Sequence, residues 1–311
     1  MQPTIQPSLQ PKANKSWKKW WMLTRPHTLT AAFVPVLLGT ALSLQITTFN
    51  IPMFIAMLVA CILIQAATNM FNEYYDYKNG LDTEESVGIS GSIVRDGIQP
   101  KTIMQIALSL YAISVLIGIY ICYHSSWYLA LIGIVGMLVG YLYTGGPKPI
   151  AYTPFGELFA GFFMGMLIIL IAFYAQTQTI TINSIIVSIP SFLLVAAILL
   201  SNSIRDLVKD EEFGRRTLAI IVGRDNAIKI LASLFITSYL IVILLVALQV
   251  LTPFALLILL SIKVPINSIK IFKAGISDQP MTMASAMVAT AKTNTIFGLL
   301  LAIGIIIGHI F

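Results

Sequence analysis

Apolar runs of about 17–25 residues, the length that crosses roughly 30 Å of hydrocarbon as helix, recur from one end of this chain to the other. Nine are marked out, over 28–47, 52–74, 103–123, 127–144, 156–176, 185–203, 227–248, 253–272 and 294–311. A bilayer offers no water to the backbone, so each run must satisfy its own N–H and C=O groups. Continuous helices do this, and the residue alternation of a barrel is absent. The chain is therefore expected to be all-α, with about nine transmembrane helices. Its composition agrees: 10% of residues are charged and the mean hydropathy is +0.87, where a soluble domain carries about a quarter charged residues.

The formal charge of +6 invites a nucleic-acid partner, but its placement argues against one. Lys12, Lys15, Lys18, Lys19 and Arg25 precede the first run; Lys78, Arg95 and Lys101 follow the second; Lys148 follows the fourth. Arg205, Lys209, Arg215, Arg216, Arg224 and Lys229 lie between the sixth and seventh, and Lys263, Lys270, Lys273 and Lys292 around the link from the eighth to the ninth. With nine spans, all nineteen fall on one side, which the positive-inside rule makes cytoplasmic. The opposite loops, around 45–50, 124–126, 177–184 and 249–252, carry no charge. A multi-pass protein of the cell membrane with a cytoplasmic amino terminus is the expectation.

Residues 1–16 are polar and read as a disordered tail, leaving 17–311 as a single transmembrane domain. Trp17, Lys18, Lys19, Trp20 and Trp21 mix rings with ammonium groups, as an interfacial anchor does. Cys61 and Cys122 read as small buried hydrophobes, and the three histidines lack zinc-ligand spacing. The pairs Gly136/Gly140, Gly161/Gly165 and Gly304/Gly308 are expected to allow close helix contact.

Two polar segments break the apolar pattern, and each opens with a similar acidic motif. The first runs from Asn69 to Asp82. If the second span continues as helix, Asn72 and Asp76 stand one above the other, with Asn69 close by. Gly80 ends that helix and lets Asp82 turn back. In the second, Asn202, Asp206 and Asp210 recur at every fourth residue, which predicts a single stripe. The motifs follow spans two and six, four spans apart, so they approach the membrane in the same direction and hint at an internal repeat.

Like charges stacked beside hydrocarbon call for a compensating cation. Oxygen ligands without Cys or His favour Mg²⁺, which uses one or two carboxylates and completes its shell with water and phosphate oxygens. Lys78, Arg95, Arg205, Arg215 and Arg216 are placed to meet diphosphate oxygens, arginine as a planar fork. Glu84, Glu85, Glu211, Glu212, Asp225 and Asp278 read as solvated charge.

At these residues the chain resembles the UbiA superfamily of intramembrane prenyltransferases, and within it the 1,4-dihydroxy-2-naphthoate polyprenyltransferases. The likeness runs from Arg25-Pro26-His27-Thr28-Leu29 to the last span. It includes the Asn-x3-Asp-Tyr-x2-Gly-x-Asp pattern at 72–82, Tyr-Leu-Tyr-Thr-Gly-Gly-Pro at 141–147 and Pro-Phe-Gly-Glu-Leu at 154–158. The most telling part is Asn-Ser-Ile-Arg-Asp-Leu-x2-Asp followed by Gly-Arg-Arg-Thr-Leu-Ala, within 202–219. Many members end the first motif Asp-x3-Asp; here Gly80 holds that place and Asp82 follows, a departure shared with the naphthoate branch.

The resemblance implies helices surrounding a central cavity and an active site at the cytoplasmic face. It implies that Asp76, Asp206 and Asp210 hold Mg²⁺ on a polyprenyl diphosphate, with Asn72 and Asn202 assisting and Asn69 and Asp82 beside the substrate. The acceptor is then 1,4-dihydroxy-2-naphthoate, and a groove open to membrane lipid takes the prenyl tail. Phe71, Tyr74, Tyr75 or Tyr143 would face the allylic cation. Arg25 and Lys148 are candidates for acceptor or phosphate contacts, Lys148 equally a topology signal; His27 reads as the start of a helix. The rival readings are a superfamily enzyme with another aromatic acceptor, a transporter with acidic mouths, and a membrane scaffold. A transporter predicts ionisable residues deep in the spans, and a scaffold leaves the paired motifs unexplained.

Overall fold

The computed structural model describes residues 16–26, 28–82, 91–276 and 279–311. The expected tail, Lys12, Lys15, His27, Glu84, Glu85 and Asp278 lie outside the described residues; Ser16 opens the first helix. Every regular element among the described residues is helical. In chain order they are α1 (Ser16–Leu23), α2 (Thr30–Ser43), α3 (Ile51–Lys78), α4 (Ser92–Asp96), α5 (Pro100–His124) and α6 (Tyr128–Leu142). After a 3₁₀ turn at Ile150–Tyr152 come α7 (Gly156–Thr177), α8 (Ile182–Arg205), α9 (Leu207–Glu212) and α10 (Leu218–Val222). The chain ends with α11 (Arg224–Ala247), α12 (Pro253–Ala274) and α13 (Pro280–Ile310).

Among the described residues, seven helices are long and apolar enough to cross a membrane: α3, α5, α7, α8, α11, α12 and α13. α2 and α6, with 14 and 15 residues, stand where the first and fourth spans were expected and are shorter. At 1.5 Å per residue they extend only about 21–23 Å. Polar side chains close the helix ends facing away from the charged loops. Asn50 caps α3 by accepting from Met53 N at 3.1 Å, and Thr181 and Ser184 form a reciprocal capping box on α8.

α2 packs against α3, α7 and α13. Its Gly39 seats on the α7 backbone at Ile169, and Gly298 of α13 seats on Val34. Val34, Leu38, Ile169 and Phe297 fill the core between them. Outward-facing Leu116, Leu131, Ile134 and Leu260 are more than three-fifths exposed, an apolar surface suited to lipid.

The glycine pairs divide. Gly161 and Gly165 lie in a π-helical stretch of α7, and a Cβ on Gly165 would meet Ser191 O at 2.6 Å, so α7 and α8 touch backbone to backbone. Gly304 and Gly308 likewise seat on Phe254 and Thr252. Gly136 corrects the expectation: a Cβ there meets nothing within 4 Å, nor does one on Gly133. α6 packs against α3 and α5; Gly140 seats against Tyr111 and Thr68 of those helices, while Gly133 and Gly136 border open space. Gly165→Leu should therefore lower stability by about 1–3 kcal/mol through overpacking, whereas Gly136→Leu leaves it unchanged; thermal unfolding in detergent micelles reads the difference.

Candidate active site

α3 runs unbroken to Lys78, carrying its polar residues past the apolar segment, as expected. It stops in a Schellman turn: Gly80 takes φ +76°, Gly80 N donates to Tyr77 O and Leu81 N to Asp76 O. The chain doubles back, and Asp82 returns buried beside the helix it has left.

The second motif corrects the single-stripe expectation. α8 ends at Arg205, Asp206 adopts φ −95° and ψ 10°, and a new short helix, α9, begins at Leu207. The bend separates the side chains. Asp206 takes Arg205 in a two-point ion pair, at 2.7 and 2.6 Å, while Asp210 turns elsewhere. α9 then ends as α3 does: Gly214 at φ +74° donates to Glu211 O, and Arg215 N donates to Asp210 O. The two segments thus share one local plan, aspartate, then glycine four residues on, then an N–H returning to the aspartate carbonyl. Leu81 in the first corresponds to Arg215 in the second.

That arginine joins them. Arg215 Nη2 lies 2.8 Å from Asp76 Oδ1 and Nη1 lies 3.0 Å from Asp210 Oδ1, so carboxylates 134 positions apart in the chain meet on one guanidinium. The guanidinium also lies over the ring of Tyr152, 4.5 Å from its centroid. These pairs are partly buried, with side chains 7–19% exposed, and so are screened less than an exposed pair, which contributes about 0–1 kcal/mol. Burial alone would pull the Arg215 pKa down; Asp210 and Asp76 more than offset it and hold it above the usual value. Burial pushes Asp210 up to about 6 despite Arg215, with Asp206 and Asp76 adding repulsion. Asp82 also rises to about 6, from burial first and then from Asp76 and Glu73; its nearest cation, Lys209 Nζ, is 3.9 Å away.

A cavity opens beside this cluster. Its empty volume is about 1,220 Å³, open solvent at its mouth included. Arg25, Asn69, Asn72, Tyr143 and Asn202 are among its polar lining, and Ile132, Met137, Phe163, Leu167 and Ile198 among its apolar walls. Gly133 and Gly136 form a bare strip along α6, and Cys61, read from sequence as a buried small hydrophobe, borders the same space. Asn72 accepts from Thr144 Oγ1 at 2.6 Å. Asn69 donates to Thr24 O and Thr28 Oγ1, tying α3 to the segment before α2. Arg25, held at φ +51°, approaches Glu73 at 3.5 Å.

Several expected contributors stand elsewhere. Lys78 and Lys148 are exposed, and Arg95 is exposed and engaged by Asp96. Arg216 is exposed and enters through its backbone N–H to Tyr152 O. Phe71, Tyr74 and Tyr75 pack with Tyr111 and Tyr141 between helices, so Tyr143 is the one expected ring that lines the cavity. Other residues went unnoticed in the sequence. Glu73, 2% exposed, accepts from Gly91 N and Ile93 N and folds α4 onto α3. Tyr152 receives Asn79 Nδ2 at 3.0 Å and supports Arg215. Glu157, 6% exposed, accepts from Ser203 Oγ and keeps Oε2 without a partner. Glu73 and Glu157 sit inside the quoted motifs, and a carboxylate at the edge of an apolar run was the available signal.

Among the described residues, no three of His, Cys, Asp and Glu converge into a ready-made metal cage. The donor set still fits Mg²⁺, which needs only one or two carboxylates when substrate phosphate completes the shell. Asn202 Oδ1 and Asp82 Oδ2 are buried without hydrogen-bond partners, leaving oxygens available at this place.

The profile of the UbiA prenyltransferase family matches residues 32–274. This chain belongs to that family. It is 54% identical to the 1,4-dihydroxy-2-naphthoate octaprenyltransferase of Bacillus subtilis (strain 168), over 93% of this chain and 92% of that one. The enzyme of the same name from Haemophilus influenzae is 33% identical, over 68% and 71%. A UbiA homolog from Archaeoglobus fulgidus bound to DMAPP and Mg²⁺ shares the fold at a TM-score of 0.61 and 15% identity, covering 92% of this chain and 99% of that one. The matched span of this UbiA family member contains both acidic motifs and the loop that carries Tyr152.

The raised carboxylates set a pH dependence. An aspartate whose folded pKa stands above its unfolded value destabilises the fold when ionised, fully above the folded pKa and less as pH falls toward the unfolded one. For Asp82 that window runs from about 6 down to the ordinary 3.8. Asp82→Asn should raise the unfolding temperature at pH 7.5, by the equivalent of about 1–3 kcal/mol, and the gap should close by pH 4; unfolding scans across that range check it.

Proposed function

We propose that this UbiA family member transfers the polyprenyl group of a polyprenyl diphosphate to 1,4-dihydroxy-2-naphthoate, a step of menaquinone biosynthesis. Carbon dioxide and pyrophosphate leave, and the product is a demethylmenaquinone in its hydroquinone form. One observation carries the reading: two acidic helix ends meet on a single guanidinium beside a largely apolar cavity. The 54% identity to the Bacillus subtilis enzyme supports the naphthoate as acceptor.

In this reading Asp76, Asp206 and Asp210 hold Mg²⁺ on the donor, with Asn72 and Asn202 as neutral oxygen donors and Asp82 behind them. Bound there, the ion neutralises charge on the diphosphate and improves pyrophosphate as a leaving group. Arg215 and Arg205 complete the cationic surface for its oxygens. The donor C–O bond breaks with its electron pair departing on pyrophosphate, and the acceptor ring carbon that bears the carboxylate supplies the pair for the new C–C bond. Loss of the acceptor carboxylate as carbon dioxide returns its bonding pair to the ring, so the electrons balance without an added base. Tyr143 offers a ring face at the polar end of the cavity, and Arg25 a cation for the acceptor carboxylate. The apolar walls exclude water that would otherwise trap the carbocation.

Residues 17–311 act as one transmembrane unit with the amino terminus and the site on the cytoplasmic side, supported by the distribution of Lys and Arg. Asp76→Ala or Asp206→Ala should abolish transfer while the protein remains folded in micelles. The assay is mass spectrometry of products from purified protein, Mg²⁺, a polyprenyl diphosphate and a panel of aromatic acceptors. Full activity in both variants, or product with every acceptor except the naphthoate, overturns the proposal. Gly136→Leu should retain transfer from a short donor such as geranyl diphosphate and lose it from long ones, because its side chain enters the tail cavity.

A further inference from the structure

Two of the carboxylates expected to meet a divalent cation, Asp76 and Asp210, already share one cation, and it belongs to the chain. Arg215 N is hydrogen-bonded to Asp210 O, which fixes its backbone to the second motif. Its side chain reaches both Asp210 Oδ1 and Asp76 Oδ1. The equivalent place in the first motif is held by Leu81, which is buried, so the pair of motifs shares this one guanidinium. The other described ion pair joining the two segments is Lys209 with Asp82, at the looser distance of 3.9 Å.

Three features show a group able to change partners. A guanidinium carries five N–H donors, and Arg215 Nε is buried without a hydrogen-bond acceptor. Its guanidinium carbon lies 4.5 Å from the centroid of the Tyr152 ring, whose face attracts a cation without fixing it to one acceptor atom. That ring is itself held by Asn79 at the end of α3, and the Tyr152 carbonyl accepts from Arg216 N, so the platform is tied to both motifs. Guanidinium and a divalent cation would draw on the same two carboxylates, whose Oδ1 atoms Arg215 already engages.

Resting on the function proposed above, we infer that Arg215 is a resident counter-cation and positioning residue. It holds the two acidic segments at binding distance, and it exchanges Asp76 and Asp210 for diphosphate oxygens as those carboxylates turn to the divalent cation. The exchange makes metal and diphosphate binding interdependent. Metal alone must displace a bound cation and leave it without a partner, whereas diphosphate supplies the displaced guanidinium with new oxygens. A scaffolding arginine gives no such interdependence.

The test titrates Mn²⁺ and inorganic pyrophosphate, separately and together, into the purified full-length protein in micelles. Electron paramagnetic resonance follows free Mn²⁺, and calorimetry follows pyrophosphate. In wild type each ligand should tighten the other, by about tenfold, within the range typical of coupled sites. Arg215→Ala should bind Mn²⁺ alone about tenfold more tightly and pyrophosphate about tenfold more weakly, with the mutual tightening reduced. Arg215→Gln, which keeps hydrogen-bonding capacity without charge, should move both affinities the same way and serves if the alanine variant does not fold. Arg215→Lys keeps the charge and should leave Mn²⁺ affinity near wild type. Opposite movement of the two affinities is what a purely structural role cannot produce. Mn²⁺ affinity that is unchanged or weakened in a folded Arg215→Ala or Arg215→Gln protein overturns this inference alone. Wild type that binds neither ligand overturns the proposed function and this inference with it.

Discussion

Inside hydrocarbon an unpaired backbone group costs several kcal/mol, and a charged side chain is equally unwelcome. That constraint closes the spans of this protein into helices and leaves their ends as the places where polar chemistry can gather. α3 and α8 both carry asparagine and aspartate in or beyond their final turns. Glycine at positive φ then folds the chain back in each case, at Gly80 and Gly214. Because Asp76 and Asp210 precede those glycines by the same four residues, each carboxylate stands at the brink of a turn.

Bringing the two ends together would fail on repulsion without a cation between them. Arg215 supplies it, and the consequence is a site held by opposing forces: desolvation and carboxylate repulsion against one guanidinium on a tyrosine ring. Around this polar cluster the protein spends its remaining polar groups on rigidity. Glu73 gathers backbone N–H groups from the start of α4, and Asn69 ties α3 to the segment before α2. The cavity beside the cluster is the apolar counterpart, with Gly133 and Gly136 withholding side chains from its wall. A charged head and an apolar tail in one substrate match that pairing.

Much of this was legible in the residues. The apolar runs marked the long helices, Gly80 marked the end of α3, and matched Asn-x3-Asp spacing marked both segments of the site. The stripe through Asn202, Asp206 and Asp210 was misleading, because spacing assumes a straight helix and the chain bends at Asp206. Gly136 was read as a packing residue, because small residues look alike whether they admit a helix or a ligand. Tyr152 had no signal at all: its place depends on a loop whose course is set by contacts with Asn79, Arg215 and Arg216.

By itself the sequence determined the environment, the helices and the chemical identity of the site's groups, since periodicity, hydropathy and turn residues act over a few neighbours. Tertiary structure alone decided which of many basic residues meets the carboxylates. Lys78 lies two positions from Asp76 and is exposed, while Arg215, 139 positions away, binds it. Ion pairing is governed by distance through space and by burial, and neither is a property of distance along the chain.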